Sequence, residues 1–148
     1  MATYLDVVNN VLRRLREPVV SSVNDTDYSA MLGVFVNDAK REIEDAYDWN
    51  ALTDTLTANT TTNVFNYVLV GSQTRFRVID VLNTTKLYPM QYAPTKWMNE
   101  QFMLTASQNN TPVYYNFNGV DANGDTQVDI YPIPNGAYTL QFNLVIPQ

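Results

Sequence analysis

The sequence predicts an α+β chain: an N-terminal antiparallel helical hairpin over 1–50, then an antiparallel β-sandwich-like or barrel-like lobe over 51–148 with one inserted helix. Three observations predict it. Apolar residues recur at three- and four-residue steps up to about Tyr47 and at two-residue steps from Phe65 onward, the periods of a one-sided helix and a one-sided strand. Only two of the sixteen Thr, one of the seven Pro and one of the five Gly lie in residues 1–50, so strand- and turn-forming residues gather after Asn50. Charge divides at the same place, with five basic and nine acidic residues before it and four and six after it. The two lobes are expected to form one compact unit, since a chain of 148 residues can bury roughly two-thirds of its surface without a disulfide or metal staple.

Each element has its own signal. Leu5, Val8, Leu12 and Leu15 share one face of a helix predicted from about Thr3 to Arg16, which Pro18 stops. Ser21–Asp27 is rich in N-cap residues, and Met31/Leu32, Phe35, Ala39, Ile43 and Ala46/Tyr47 then recur at helical spacing, so a second helix is predicted from Asp27 to Tyr47. The short link lets the two apolar stripes face each other. Thr57–Asn63 is polar enough for a flexible loop or arm. Phe65-Tyr67-Leu69, Val113-Tyr115-Phe117, Val128-Ile130 and the run Tyr138, Leu140, Phe142, Leu144, Ile146 alternate as strands. Asn118-Gly119 and Asn123-Gly124-Asp125 are turn sequences between the Val113 and Val128 strands. A helix from Pro94 to about Thr105 starts with Pro, which suits a first turn, and places Trp97, Gln101 and Leu104 together.

Composition excludes much chemistry. With no Cys and no His, thiol nucleophiles, imidazole bases, Cys/His zinc sites and Ser-His-Asp triads are ruled out. A net charge of −6 opposes a phosphate-gripping nucleic-acid surface. No window approaches the length of apolar chain that spans a bilayer, and the opening Met1-Ala2-Thr3-Tyr4-Leu5-Asp6 has no cationic leader, so an intracellular product without a membrane anchor is expected. No cofactor or metal is implied. Asp121 to Asp129 spaces oxygen-bearing side chains like a calcium loop, but the order of Gly124 and Asp125, the missing Glu and the flanking strand patterns favour a plain hairpin turn.

Three clusters are candidates for interaction. Glu42, Glu44, Asp45 and Asp48 gather at the C-terminal end of the second helix, where the macrodipole disfavours negative charge. They form a solvated acidic face, or line a channel in a ring of subunits, where carboxylates repel passing DNA phosphates. A glycosidase-type carboxyl pair is a third reading. Arg13-Arg14-Arg16 and Arg75-Phe76-Arg77 are the basic clusters, with Arg75 and Arg77 expected on one face of a strand. Arg13, Arg16, Arg75 and Arg77 are either solvated or pair with acids of a neighbouring subunit. Ten Tyr, with Tyr114 and Tyr115 adjacent, suit an interface or an aromatic sugar platform. Trp49 and Trp97 are expected to be core or inter-lobe plugs.

The order of these pieces resembles a known family. Leu5, Val8, Asn9, Val11, Leu12 and Leu15 before Glu17-Pro18-Val19, then Ser21-Ser22-Val23-Asn24-Asp25-Thr26-Asp27 and a helix ending at Tyr47-Asp48-Trp49-Asn50, look like the head-to-tail adaptor (connector) proteins of tailed bacteriophages, tail tubular protein A type. Phe65-Asn66-Tyr67, Arg77-Val78-Ile79-Asp80-Val81, Thr111-Pro112, Tyr114-Tyr115 and Ile130-Tyr131-Pro132 continue the likeness over nearly the whole chain. Val68-Leu69-Val70-Gly71 departs from it, standing where a Leu-Pro-Asp-type turn is usual, and a chain that stops soon after Pro147 is not expected to carry a long portal-clasping arm. The resemblance implies a non-enzymatic structural protein of the virion, assembled in the host cytoplasm. It would form a homo-oligomeric, typically dodecameric ring beneath the portal protein at the head-tail junction, extend the DNA channel and seat the tail nozzle or tail tube protein. Two competing hypotheses remain at this point: a carbohydrate-binding or adhesin β-module of a tail, using Tyr114 and Tyr115, and a peptidoglycan hydrolase using Glu42, Glu44 or Glu100.

Overall fold

The computed structural model describes residues 2–147. The chain is mixed α+β, with three α-helices and several mainly antiparallel sheets among the described residues. It divides into two compact units, one up to Asp48 and the other from Trp49.

In the first unit, α1 (Tyr4–Arg14) begins at a capping box: Thr3 Oγ1 accepts from Asp6 N at 3.2 Å, and the Asp6 carboxylate accepts from Thr3 N at 2.8 Å. These bonds satisfy donors a helix start leaves orphaned, and the Thr3 amide foremost holds the Asp6 carboxyl below its usual range. The helix stops at Arg14, two residues short of the expected end. Arg16 turns left-handed at φ 62°, its N–H donates to Arg13 O at 3.2 Å, and Glu17 N–H reaches Leu12 O at 3.0 Å, the bond pair of a Schellman terminus. No glycine marks this stop, so the sequence does not announce it.

The second helix, α2 (Asp27–Ala46), is capped by Thr26, whose Oγ1 accepts from Ser29 N at 3.0 Å. Its buried side differs from the expected stripe. Ser29, Leu32 and Gly33 face inward, and Leu32 meets Val8 and Leu12 of α1 in a small apolar core walled by Val11, Val20, Val23 and Val36. Met31 and Phe35 are exposed instead. Small residues explain the rotation: a Cβ on Gly33 would stand 2.7 Å from both Tyr4 Oη and Val23 Cγ1, so only glycine admits the first turn of α1 and the link this close. Asn9 ties the link to α1, accepting from Val20 N at 2.9 Å and donating to Val20 O at 3.0 Å. The Asp25 carboxylate gathers N–H bonds from Ser22 and Ser21 and is held below its usual range by them.

The second unit opens with a 3₁₀ turn at Asn50–Leu52 and β1 (Thr53–Asn59), followed by β2 (Asn66–Leu69), β3 (Arg77–Asn83), β4 (Tyr88–Pro89) and β5 (Gln91–Tyr92). Next comes α3 (Thr95–Asn99), continued by a π turn at Glu100–Leu104, and then β6 (Asn109–Asn110), β7 (Tyr114–Val120), β8 (Thr126–Tyr131), β9 (Ile133–Pro134) and β10 (Thr139–Val145). One sheet runs β1-β10-β3-β4 and another β2-β8-β7-β5, with β6 and β9 a small parallel pair. Both strand orders run open from edge to edge, so the barrel alternative is wrong. Leu140, Phe142 and Leu144 alternate inward from β10 and, with Ala58 and Val81, share one core with Leu69, Tyr115, Val128 and Ile130 of the other sheet.

Two local expectations need correction. Thr57–Asn59 is strand, not arm: Thr57 pairs with Gln141, Ala58 with Leu140 and Asn59 with Thr139. Leu56 and Ala58 supply the only inward apolar groups, while the outward polar ones bond across the ladder, Thr55 Oγ1 to Asn143 Oδ1 at 2.8 Å and Thr139 Oγ1 to Asn59 Oδ1 at 3.0 Å. The inserted helix is α-helical only as far as Asn99. Beyond that the π turn sets the Phe102 ring 4.5 Å from Phe65 and edge-on to Tyr131 at 5.6 Å, in the same cluster as Trp97.

Candidate functional site

The acidic cluster of α2 does not converge. Glu42 and Asp45, three residues apart, are neighbours on the helix surface and both exposed, whereas Glu44 lies round the helix, 6% exposed, with Oε1 3.7 Å from Lys40 Nζ. Asp48 is exposed beyond the helix end, past the extended Tyr47. The last turn of α2 carries no basic residue of its own, at the end of the helix where the macrodipole is negative.

The basic candidates are scattered. Arg13 lies in the last turn of α1, its Nη1 donating to Asn10 Oδ1 at 3.3 Å, and Arg16 is the left-handed residue of the terminus; both are exposed. Arg77 begins β3, but Arg75 precedes the strand, so the two do not share a strand face. The turn between β7 and β8 begins only after Val120, so Asn118-Gly119 lies within β7 and not in a turn as expected, and Asp125 of that turn pins the loop before β3, its Oδ1 accepting from Gly71 N at 2.9 Å.

Tyr114 and Tyr115 point to opposite faces of β7, because successive strand residues alternate. Tyr115 is 8% exposed inside the main core, edge-on to Phe142 at 6.4 Å, and burial pushes its hydroxyl pKa up. It presents no surface to a neighbour or a sugar, which corrects its place among the interface candidates. Tyr114 is half-buried, 4.8 Å from Trp97, and Trp97 is 5.5 Å from Tyr131, so Trp97 is a core plug as expected. Trp49 keeps 43% of its surface exposed.

Asp121 closes the β7–β8 turn, its Oδ1 accepting from Asp125 N at 2.8 Å and Asn123 N at 2.9 Å, and these bonds hold its carboxyl below the usual range. Among the described residues, no group of three or more carboxylates is placed to hold a metal ion, and no helix is long and apolar enough to cross a membrane. A polar site the sequence analysis missed lies on β8. Asp129, 5% exposed, accepts from Asn66 Nδ2 and Asn118 Nδ2, both at 2.7 Å, and so ties β2, β8 and β7 together. Strand register creates this triad, and no local motif announces it.

Among the described residues, these features are surfaces, capped ends and structural networks. The family described as SU10 adaptor protein matches residues 2–145. The chain belongs to that family. It is a family of phage head-tail adaptors, a structural class and not an enzyme class, and its members are virion proteins of the head-tail junction. Comparison with curated proteins and with solved structures gave no match.

Proposed function

We propose that this adaptor forms a homo-oligomeric ring, typically of twelve copies, beneath the portal protein, after the manner of the tail tubular protein A type. The ring extends the DNA channel and gives the tail nozzle or tail tube protein its seat. The family match over residues 2–145 carries this proposal, because it spans both compact units and not one module of them. The α1–α2 pair then acts as an antiparallel hairpin and the two larger sheets as a sandwich, giving each copy two different sides, as a head-to-tail ring requires. Glu42, Asp45 and Asp48 are proposed for the channel lining, where negative charge keeps DNA from adhering, whereas Glu44, 6% exposed beside Lys40, is withdrawn from that lining. Arg13, Arg16, Arg75, Arg77 and Tyr114 are proposed for contacts between copies. Assembly is placed in the host cytoplasm.

The test is the size of the purified chain at micromolar concentration with and without portal. A monomer alone and a ring in the mixture supports docking-dependent assembly, in which the cost of ordering interface side chains is met only on the template. No change of size on adding portal refutes it.

A further inference from the structure

The exposed side of α2 carries more apolar surface than a lone helix face needs. Tyr28, Met31, Val34 and Phe35 recur within two turns and are 41%, 43%, 58% and 59% exposed, while Ser29, Leu32 and Gly33 opposite them fill the contact with α1. Exposed Asp27 and Asp38 bracket this stripe. Beside it opens a groove of about 660 Å³ lined by Tyr4, Leu5, Val23, Ala30, Val34 and Asn37. The far end of α1 has the converse chemistry: Arg13, Arg14 and Arg16 are exposed there, with Leu15 at 49% and Val19 at 54% exposure among them.

We propose that the Tyr28–Phe35 stripe of α2 is the seat for a second copy of this chain, whose Arg13–Val19 segment lays Leu15 and Val19 on the stripe and groove and its arginines against Asp27 and Asp38. A second copy is the occupant because one chain carries both halves: an acid-bordered apolar seat and an apolar segment edged with arginine. Exposed contiguous apolar surface rimmed by polar groups marks interaction sites, and opposite charges on two different patches give a heterologous contact that repeats from copy to copy. This rests on the ring proposal above and specifies which side of the helical unit makes the contact.

Sedimentation velocity of the full chain from micromolar to millimolar concentration tests it, with far-UV circular dichroism confirming that each variant is folded. Wild type is expected to associate as concentration rises. Phe35→Asp weakens association by about 30-fold or more, the loss of a buried aromatic anchor. Asp27→Arg with Asp38→Arg, and separately Arg13→Asp with Arg14→Asp, each weaken it about tenfold, and mixing the two charge-reversed chains restores wild-type strength. A wild type that stays monomeric to millimolar concentration overturns the proposal. So does folded Phe35→Asp that associates like wild type, or a mixture that fails to recover. A chain imaged at the junction whose association ignores these substitutions keeps the ring and loses this surface; absence from the junction removes the ring proposal itself.

Discussion

Gly33→Ala sets two effects of known size against each other. Alanine is favoured over glycine in a helix interior by about 0.8–1.0 kcal/mol. Against that, the new methyl would stand 2.7 Å from Tyr4 Oη and 2.7 Å from Val23 Cγ1, well inside the 3.5–4.0 Å at which carbon atoms pack. Tyr4 can swing its ring away, losing the 3.2 Å bond its hydroxyl accepts from Asn37 Nδ2. Val23 cannot move so freely, since a β-branched side chain is stiff and this one walls the Val8–Leu12–Leu32 core. Overpacking of this kind costs about 1–3 kcal/mol, so the expected net effect is a loss of about 0–2 kcal/mol. Urea unfolding of the full chain, followed by its helical circular dichroism, reads that loss. In a Val23→Ala background the methyl has room, and the same substitution is expected to be neutral or stabilising, a coupling of about 1–2 kcal/mol. If Gly33→Ala stabilises the otherwise unaltered chain, the first turn of α1 and the Val23 turn do not lie against α2 as described.

Arg16→Gly relieves a left-handed residue and is expected to raise stability by about 0.5 kcal/mol, the left-handed cost of about 1–2 kcal/mol being partly offset by glycine's freedom when unfolded; a lower melting temperature would contradict the Schellman terminus. Asp129→Ala strands the amides of Asn66 and Asn118 and is expected to cost about 2 kcal/mol in urea unfolding, with Asp129→Asn recovering only part of it; a neutral Asp129→Ala would remove the triad as a tie between strands. Stability measured against pH is expected to be flat between about pH 5.5 and 9, because no His or Cys is present to titrate there. The carboxyls of Asp6, Asp25 and Asp121 bond in their ionised form, so their contribution is present above the ordinary carboxylate range and is lost as pH falls through their depressed pKa values. Burial favours neutral Tyr67, Tyr88 and Tyr115, so stability held below about pH 10 is lost as pH rises through their raised pKa values; a titration step near neutrality would contradict this account.

Helix starts were legible because caps are local: Thr3 with Asp6, and Thr26 with Ser29, place them within a residue of the expected positions. The strand at Thr139–Val145 was legible because one of its faces is wholly apolar. Thr53–Asn59 was not, since in this edge strand only Leu56 and Ala58 are apolar and inward, too short an alternation to stand out from its Thr and Asn neighbours. Nor was the rotation of α2, where Ser29 and Gly33 win the interface by size while the larger Met31 and Phe35 stay outside; hydrophobicity alone points the other way. Helical phase did separate Glu44 from Glu42 in principle, and the burial of Glu44 follows that phase. The Asn66–Asp129–Asn118 triad and the opposed faces of Tyr114 and Tyr115 depend on pairing across long stretches of chain, which a local pattern does not encode.

The central claim, that copies of this chain form the collar between portal and tail, is tested most directly by single-particle imaging of the vertex of intact virions. The account predicts density for this chain repeated around the channel, in contact with the portal above and tail components below. Density for this chain elsewhere on the particle, or a vertex from which it is missing, would contradict it.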